Sequence, residues 1–304
     1  MVVAVGGYGY AGFSKRASGI GLRGALVSKR IGFCLAVTAA LLAVNSANPQ
    51  NAPRLHFAAN GNFDTQGHFT PAIAGFNIAD VSTRKQLDTL PQNVIGMVWI
   101  GMCNGVDAPF QTAAEAVISH PKLFGFYLMD DPDPTGQWHQ ACPAANLKAE
   151  ADWIHERRPD SIAFVALMNL STSTSPSFGG MYTPETTHVD VFSIAPYPCR
   201  TEWTKCDYAM IDRYVSAAVA SGIPASDLVP TYQTFSLGDW RTESGGSYRM
   251  PSDAEMEFML QRWRRLVPEP KFDFAYSWGS QRSSHGLASS TELQSVFRAH
   301  NAGN

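Results

Sequence analysis

The chain has 304 residues, of which 45% are hydrophobic and 16% are charged, so it can bury a large apolar core and is not intrinsically disordered. This length suits a single α/β barrel, which commonly takes about 250 residues. The first 30 residues hold five of the 23 basic side chains and no acidic one, and residues 48–304 carry 18 basic against 26 acidic groups, a formal charge of −8. Nucleic acids and anionic membranes select clustered Lys and Arg, so we expect neither as a partner of this acidic body.

The N-terminal segment has the order of a secretory signal peptide. A basic stretch ending at Arg30 precedes the apolar run IGFCLAVTAALLAV, and the small residues Ser46 and Ala47 follow it. The run is shorter than the about 20 apolar residues that span a bilayer. We therefore predict a signal peptide with a long basic part over residues 1–47, and a single secreted or periplasmic, monomeric domain over residues 48–304. An Arg-rich organelle transit peptide is the alternative.

Four cysteines follow the predicted signal peptide: Cys103, Cys142, Cys199 and Cys206. An even number of cysteines in an exported chain favours disulfides. Because Cys199 and Cys206 lie close in sequence, we expect them to close one loop and leave Cys103 to pair with Cys142. A zinc site is the alternative, although neither a C-x-x-C spacing nor a nearby His pair supports it. We predict no metal, since the sequence has no H-E-x-x-H or H-x-H pair, and no cofactor, since the early G-x-G-x-x-G spacings lack the acidic residue of a dinucleotide site.

Apolar runs alternate with amphipathic segments from residue 73 onward, which is typical of βα units around a parallel sheet. Seven strands are visible, at 73–80, 94–101, 123–130, 162–169, 189–196, 228–235 and 272–279, and an eighth could lie at 55–59. Helices are predicted at 143–158, at 207–221 and from Ser252, where Glu255 completes a capping box. The sequence therefore predicts a (β/α)8 TIM-barrel-like domain, with an open doubly wound sheet as the alternative.

An acidic cluster ends the predicted strand 123–130. Asp130, Asp131 and Asp133 place three carboxylates within four positions, at the end of the strand where sites of parallel α/β folds lie. Such crowding should raise the pKa of at least one of them, as a general acid requires. On an extended segment the side chains of Asp130 and Asp131 should point in opposite directions, so that one of them faces a substrate. A calcium site at this cluster and a structural role for Asp130 are the alternatives.

The run GFYLMDDP resembles the G-Y-Y-L-x-D-E-P strand end of secreted (β/α)8 glycoside hydrolases. Similar proteins also carry segments like DVFSIAPYP, TYQTF and AYSWG, and the resemblance covers most of residues 73–280. It implies hydrolysis of glycosidic bonds in a polysaccharide or glycan, with Asp131 at the position of the Glu acid/base and Asp130 orienting it. Asp is one methylene shorter than Glu, so a non-catalytic carbohydrate-binding protein on a degenerate barrel is the alternative.

Hydrolysis of this kind normally needs a second carboxyl group, about 5 Å away for retention and roughly 6.5–9.5 Å away for inversion. Asp80, which ends the first visible strand, is the first candidate for this partner, followed by Asp239 and Glu243. Asp80 could instead cap a helix beginning near Ser82. Polar and aromatic side chains at strand ends are predicted to bind the carbohydrate, namely Asn77, Trp99, Tyr127, Asn169, Tyr197, Gln233 and Trp278. Trp138, Trp203 and Trp240 belong to the same group of aromatics, for which core packing is the alternative.

Overall fold

A computed structural model describes residues 54–303, so the predicted signal peptide lies outside the described residues. The strands of the main sheet are β1 (His56–Ala58), β2 (Ile78–Val81), β3 (Ile95–Trp99), β4 (Leu123–Asp130), β5 (Ile162–Ala166), β6 (Val191–Ser193), β7 (Leu228–Val229), β8 (Thr231–Gln233) and β10 (Asp273–Tyr276). A separate antiparallel pair is formed by β9 (Ser236–Leu237) and β11 (Ser284–His285).

The nine strands of the main sheet are parallel and form a nearly closed barrel, in the order β7-β6-β5-β4-β3-β2-β1-β10-β8. β7 and β8 are two parts of one extended run, interrupted at Pro230, because proline has no N–H for the sheet. β7 pairs with β6 and β8 pairs with β10, so this run joins the two ends of the sheet. The predicted TIM-barrel-like fold is confirmed, and β1 lies at the position predicted for the eighth strand.

Seven helices surround the barrel in the described part of the chain: α1 (Arg84–Thr89), α2 (Ala108–Glu115), α3 (Ala144–Arg157), α4 (Pro184–Thr187), α5 (Ala209–Ala220), α6 (Asp253–Leu266) and α7 (Thr291–Asn301). The three predicted helices correspond to α3, α5 and α6, and Ser252 and Glu255 form the expected capping box. The N-cap of α1 is Thr83, whose side chain accepts the N–H of Gln86, so the alternative role of Asp80 as a helix cap is wrong. Between residues 54 and 303, the helices lack the length and apolar character needed to cross a membrane.

Two apolar layers pack on the two faces of the strands. The inner layer fills the barrel with side chains such as Phe57, Ile78, Phe164 and Phe274, while the outer layer lies between strands and helices. Because successive side chains of a strand alternate between faces, Asp80 follows Ile78 on the inner face and Ala79 belongs to the outer layer. Asp80 therefore lies inside the barrel, near the C-terminal ends of the strands, which we call the mouth.

Two disulfides join the four cysteines, Cys103 to Cys142 and Cys199 to Cys206. The first ties the loop after β3 to the loop after β4, and the second closes the loop after β6. Zinc binds the thiolate form of cysteine, so these pairings leave no ligands for the alternative zinc site. Both disulfides brace loops of the mouth.

Candidate active site

A cavity of about 360 Å³ opens at the mouth, within the volume range of small-molecule sites. The ends of β4, β5, β6 and β10, the loops after β4, β5 and β6, and the loop after β9 supply its walls. We call it the mouth cavity. Its lining includes Tyr127, Asp130, Asp131, Trp138, Asn169, Tyr197, Arg200, Arg241, Glu243, Tyr248 and Tyr276. Its position agrees with the rule that parallel α/β barrels bind ligands at the C-terminal ends of their strands.

Asp130 reaches the mouth cavity because β4 is irregular. The register of β4 against β5 shifts between Tyr127 and Met129, and Met129 packs against the outer layer. In a regular strand, Tyr127 and Asp130 would face opposite sides, but here the Tyr127 hydroxyl donates a hydrogen bond to Asp130 Oδ1 at 2.8 Å. Burial, the largest cause, raises the pKa of Asp130, the bond from Tyr127 lowers it and the charge of Asp80 raises it, with a net pKa of about 6.

Asp80 is the second inner carboxyl group near the mouth, although it does not line the mouth cavity. Its Oδ2 accepts the N–H of Asn60 at 2.8 Å, and its own N–H donates to Asn62 Oδ1. Burial raises the pKa of Asp80 to about 6 as well. The predicted crowding of carboxyl groups is therefore present, but for Asp130 it comes from Asp80 on another strand and not from Asp133 in the same loop.

Asp131 lies beside Asp130 on the wall of the mouth cavity. Its φ of 49° is in the left-handed region, and its N–H donates to the carbonyl of Ala166 at 2.9 Å. The expectation that Asp130 and Asp131 point in opposite directions assumed an extended backbone. Because the chain turns at Asp131, both side chains line the same cavity.

Asp133 organises the loop after β4. It is fully buried, and its two oxygens accept the N–H groups of Thr135, Gly136, Trp138 and His139, together with the Thr135 hydroxyl. Burial raises its pKa, but the donors, chiefly the N–H groups of His139 and Trp138, outweigh burial and hold the pKa well below its usual range. These donors occupy the oxygens that the alternative calcium site would need from Asp133.

The wall contributed by the loops after β6 and β9 holds an ion pair. Arg200 Nη1 lies 3.1 Å from Glu243 Oε2, and the guanidinium of Arg200 packs over the ring of Trp203 at 4.8 Å. Glu243 also accepts the N–H of Ser173 at 2.9 Å and its hydroxyl. Burial raises the pKa of Glu243, but the bonds from Ser173 and the charge of Arg200 lower it more, so Glu243 stays ionised. Glu243 therefore lies in the cavity wall, where the charge of Arg200 already compensates its own. Asp239, the other acidic candidate from this segment, does not line the cavity.

Five tyrosines line the mouth cavity together with the carboxyl groups, namely Tyr127, Tyr197, Tyr214, Tyr248 and Tyr276. The rings of Tyr197 and Tyr276 are stacked with centroids 6.0 Å apart, and the ring of Tyr248 meets Tyr197 edge-on at 5.8 Å. Burial, together with the neighbouring Tyr276, Asp130 and Asp131, raises the pKa of Tyr197 well above its usual range. The hydroxyl of Tyr197 is therefore neutral and able to donate a hydrogen bond.

Of the residues predicted to bind carbohydrate, Tyr127, Asn169 and Tyr197 line the mouth cavity. Asn169 shapes the loop after β5: its Oδ1 accepts the N–H groups of Ser171 and Ser177, and its Nδ2 donates to an oxygen of the loop and to a tyrosine hydroxyl. Its amide is therefore largely used within the protein.

Four predicted binding residues lie outside the mouth cavity. Asn77 precedes β2, at the other end of the barrel, and its side chain bonds the backbone of His56 and Arg54. The amide of Gln233 is buried and bonds both backbone groups of Cys199, so it holds the loop after β6 in place.

Trp99 and Trp278, the other two predicted binding residues outside the mouth cavity, are packing residues. Trp278 is 3% exposed, belongs to the outer layer and donates from Nε1 to Thr70 Oγ1 at 2.8 Å. Trp99 packs its ring edge-on against Tyr127, with centroids 4.7 Å apart, and does not reach the cavity. Both lie where large aromatic side chains contribute to core burial.

Sequence reasoning did not select Arg200, Tyr248 or Tyr276 for the site. Tyr276 shares the inner face of β10 with Phe274, so the alternation of that strand could have identified it. Arg200 and Tyr248 lie on irregular loops, where no periodic pattern indicates the direction of a side chain.

No protein-family model matches this chain, and no curated protein does. Solved structures with a similar fold include a plant class V chitinase mutant from Cycas revoluta in complex with (GlcNAc)3, with a TM-score of 0.53 and 11% identity over 83% of this chain and 100% of that one. YKL-39 in the presence of chitooligosaccharides (GlcNAc4) has a TM-score of 0.52 and 10% identity over 83% and 100%. A chitinase-like agglutinin from Robinia pseudoacacia has a TM-score of 0.51 and 11% identity over 82% and 99%. These likenesses show a shared barrel fold.

Proposed function

We propose that this chain is a secreted glycoside hydrolase-like enzyme that cleaves glycosidic bonds of a glycan bound in the mouth cavity. The observation that carries the proposal is the carboxyl pair after β4: Asp130, with a pKa raised to about 6, lies beside Asp131 in one cavity. A general acid works best when its pKa is close to the working pH. The two disulfides are compatible with an oxidising compartment outside the cytoplasm.

In this proposal Asp130 is the general acid. It protonates the glycosidic oxygen while the bond from that oxygen to the anomeric carbon breaks, and the Tyr127 hydroxyl orients its carboxyl group. Asp131 faces the positive charge that develops on the sugar ring. The sequence alone favours Asp131 as acid/base, but the register shift in β4 and the raised pKa support Asp130 in that role.

The cavity wall formed by the loops after β6 and β9 is consistent with a substrate that supplies its own nucleophile. Glu243 is the carboxylate there, and Ser173 and Arg200 already engage both of its oxygens. Substrate-assisted hydrolysis needs no protein nucleophile, because a substituent of the sugar attacks the anomeric carbon and water later replaces it. We therefore propose a 2-acetamido sugar as substrate. The (GlcNAc)3 and GlcNAc4 described with two barrels of similar fold are such sugars and supply the first probes.

Hydrolysis is tested by incubating the full chain, produced in a host that forms disulfides, with N-acetylglucosamine oligosaccharides. Products are quantified by mass spectrometry for wild type, Asp130→Asn and Asp131→Asn, with Asp160→Asn as a control because that side chain is 81% exposed on the surface. We expect Asp130→Asn to lose about 100-fold or more in rate, the usual contribution of a general acid, Asp131→Asn to lose rate because the developing charge is no longer stabilised, and the control to lose nothing. Wild-type rates in Asp130→Asn would remove Asp130 from the mechanism.

A non-catalytic carbohydrate-binding protein is the second candidate. The similarity to a chitinase-like agglutinin and the Asp at the position of the expected Glu favour it. Isothermal titration of the same oligosaccharides separates the two functions, because a binding protein gives saturable heat and no products. An enzyme gives both, and only its product formation depends on Asp130.

A further inference from the structure

Trp138 is the exposed aromatic side chain of the mouth cavity. Among the large hydrophobic side chains that are exposed in residues 54–303, it alone lines that cavity, with 39% of its surface open to solvent. Tyr127 and Tyr276, by contrast, are nearly buried. The indole therefore lies at the rim of the cavity and the tyrosines at its floor. Ligand pockets are lined mainly by hydrophobic and aromatic side chains, so an exposed indole on the wall of a cavity is a candidate contact for a ligand.

The backbone that carries Trp138 is held from several directions. The buried carboxylate of Asp133 accepts the N–H of Trp138 at 2.6 Å, as well as the N–H of the next residue. The disulfide of Cys142 ends the loop, and Gln140 donates to Asn104 in the loop after β3. A ring presented on a fixed backbone loses little conformational entropy when a ligand covers it.

Other tryptophans near the mouth cannot play this part. Trp240 and Trp278 are each 3% exposed, Trp99 packs against Tyr127, and the Arg200 guanidinium lies over Trp203. The sequence offers several tryptophans near strand ends as candidates for sugar binding. Of these, Trp138 lines the mouth cavity with an exposed ring.

We propose that Trp138 is a stacking platform for a pyranose ring, placed beyond the sugar unit that lies at Asp130 and Asp131. The flat indole complements the apolar C–H face of a sugar ring. Because the platform lies at the rim, it contacts long oligosaccharides and not the shortest ones. This inference rests on the proposed function and adds to it the residue that selects chain length.

The test compares chain lengths. Dissociation constants are measured by isothermal titration for N-acetylglucosamine disaccharide and tetrasaccharide, in an Asp130→Asn background that prevents turnover. The background protein is compared with Trp138→Ala, Trp138→Phe and, as control, Phe258→Ala, a residue of α6 that is 38% exposed and lies outside the cavity. Trp138→Phe keeps a flat ring and separates loss of the platform from damage to the loop.

We expect Trp138→Ala to weaken tetrasaccharide binding about tenfold, equivalent to about 1.4 kcal/mol, and disaccharide binding less than about twofold. Trp138→Phe should recover most of the loss, and Phe258→Ala should bind as the background protein does. Equal weakening of both lengths, or no weakening, would overturn the platform and leave the proposed function intact. If the background protein binds neither oligosaccharide nor any member of a polysaccharide panel, the proposed function fails and the platform with it.

Discussion

Buried carboxyl groups in this barrel differ in how many hydrogen-bond donors surround them. Asp133 and Asp273 are buried, but each accepts several donors, and the pKa of each is lowered, for Asp273 to about 2. The donors to Asp273 are the rings of His56 and His300 and the hydroxyl of Tyr232, at the base of the barrel. Asp80 and Asp130 have raised pKa values, because a single backbone or tyrosine donor does not offset burial. The shortage of donors around Asp130 itself is what makes this carboxyl group suitable for carrying a proton.

Glu150, away from the cavity, is another buried carboxyl group whose pKa is raised because it has few hydrogen-bond donors. It is buried on α3, where Oε1 accepts the N–H of Gly105 at 2.9 Å and Oε2 has no partner among the described residues. Burial raises its pKa from 4.5 to about 8, and the N–H groups of Gly105 and Asn104 lower it less. Between about pH 4.5 and pH 8 the native state therefore keeps a proton that the unfolded chain has lost. The stability contributed by this proton is fully present below about pH 4.5 and is lost as the pH rises through 8.

We predict that Glu150→Gln removes this pH dependence. Between pH 5 and pH 9, wild type should lose about 4 kcal/mol more free energy of unfolding than the variant, because about three pH units of the shifted titration, at about 1.36 kcal/mol each, lie within this range. Urea unfolding at several pH values measures the difference. Parallel curves for the two proteins over this range would mean that Glu150 ionises normally in the folded state.

At the scale of elements, the irregular part of β4 decides which aspartate enters the barrel. Ideal alternation after Tyr127 predicts Met129 and Asp131 on the inner face. The register shift places Met129 in the outer layer and Asp130 inside. The apolar run and its acidic end are visible in the sequence, but a register shift depends on pairing with β5 and has no local sequence pattern. This is why the strand was predicted correctly and the direction of its last side chains was not.

The loops of the mouth depend on the two disulfides, which enclose segments of different length. Cys103 and Cys142 are 39 positions apart, whereas Cys199 and Cys206 are 7 apart. In the chain-entropy description, the longer loop contributes about 4 kcal/mol to stability and the shorter about 2.5 kcal/mol. We predict that replacing both cysteines of the first pair by Ser lowers the free energy of unfolding more than the same change in the second pair. Urea unfolding gives the order, and the reverse order would contradict the prediction.

At the scale of the whole molecule, closure of the barrel brings together residues that are far apart in sequence. The alternation of apolar runs with amphipathic segments was sufficient to predict the barrel, its eight-strand extent and the helices α3, α5 and α6. Tyr127, Asn169 and Tyr197, which line the mouth cavity, were predicted for the site because they lie at or beyond the ends of predicted strands. Arg200 and Glu243 meet only after the loops following β6 and β9 have folded, so their ion pair could not be read from either segment. Asn77 and Gln233 were selected as polar groups, but they satisfy backbone donors and acceptors elsewhere.

The central claim is that Asp130 donates a proton to a glycosidic bond in the mouth cavity. The pH dependence of kcat/KM for an N-acetylglucosamine tetrasaccharide tests it most directly. Since the protonated form of Asp130 is the active one and its pKa is about 6, kcat/KM should fall as pH rises above about 6, approaching a tenfold loss per unit. Asp130→Asn should lose both the rate and this alkaline limb. A wild-type rate that stays constant from pH 5 to pH 8, or an unchanged alkaline limb in Asp130→Asn, would contradict the claim.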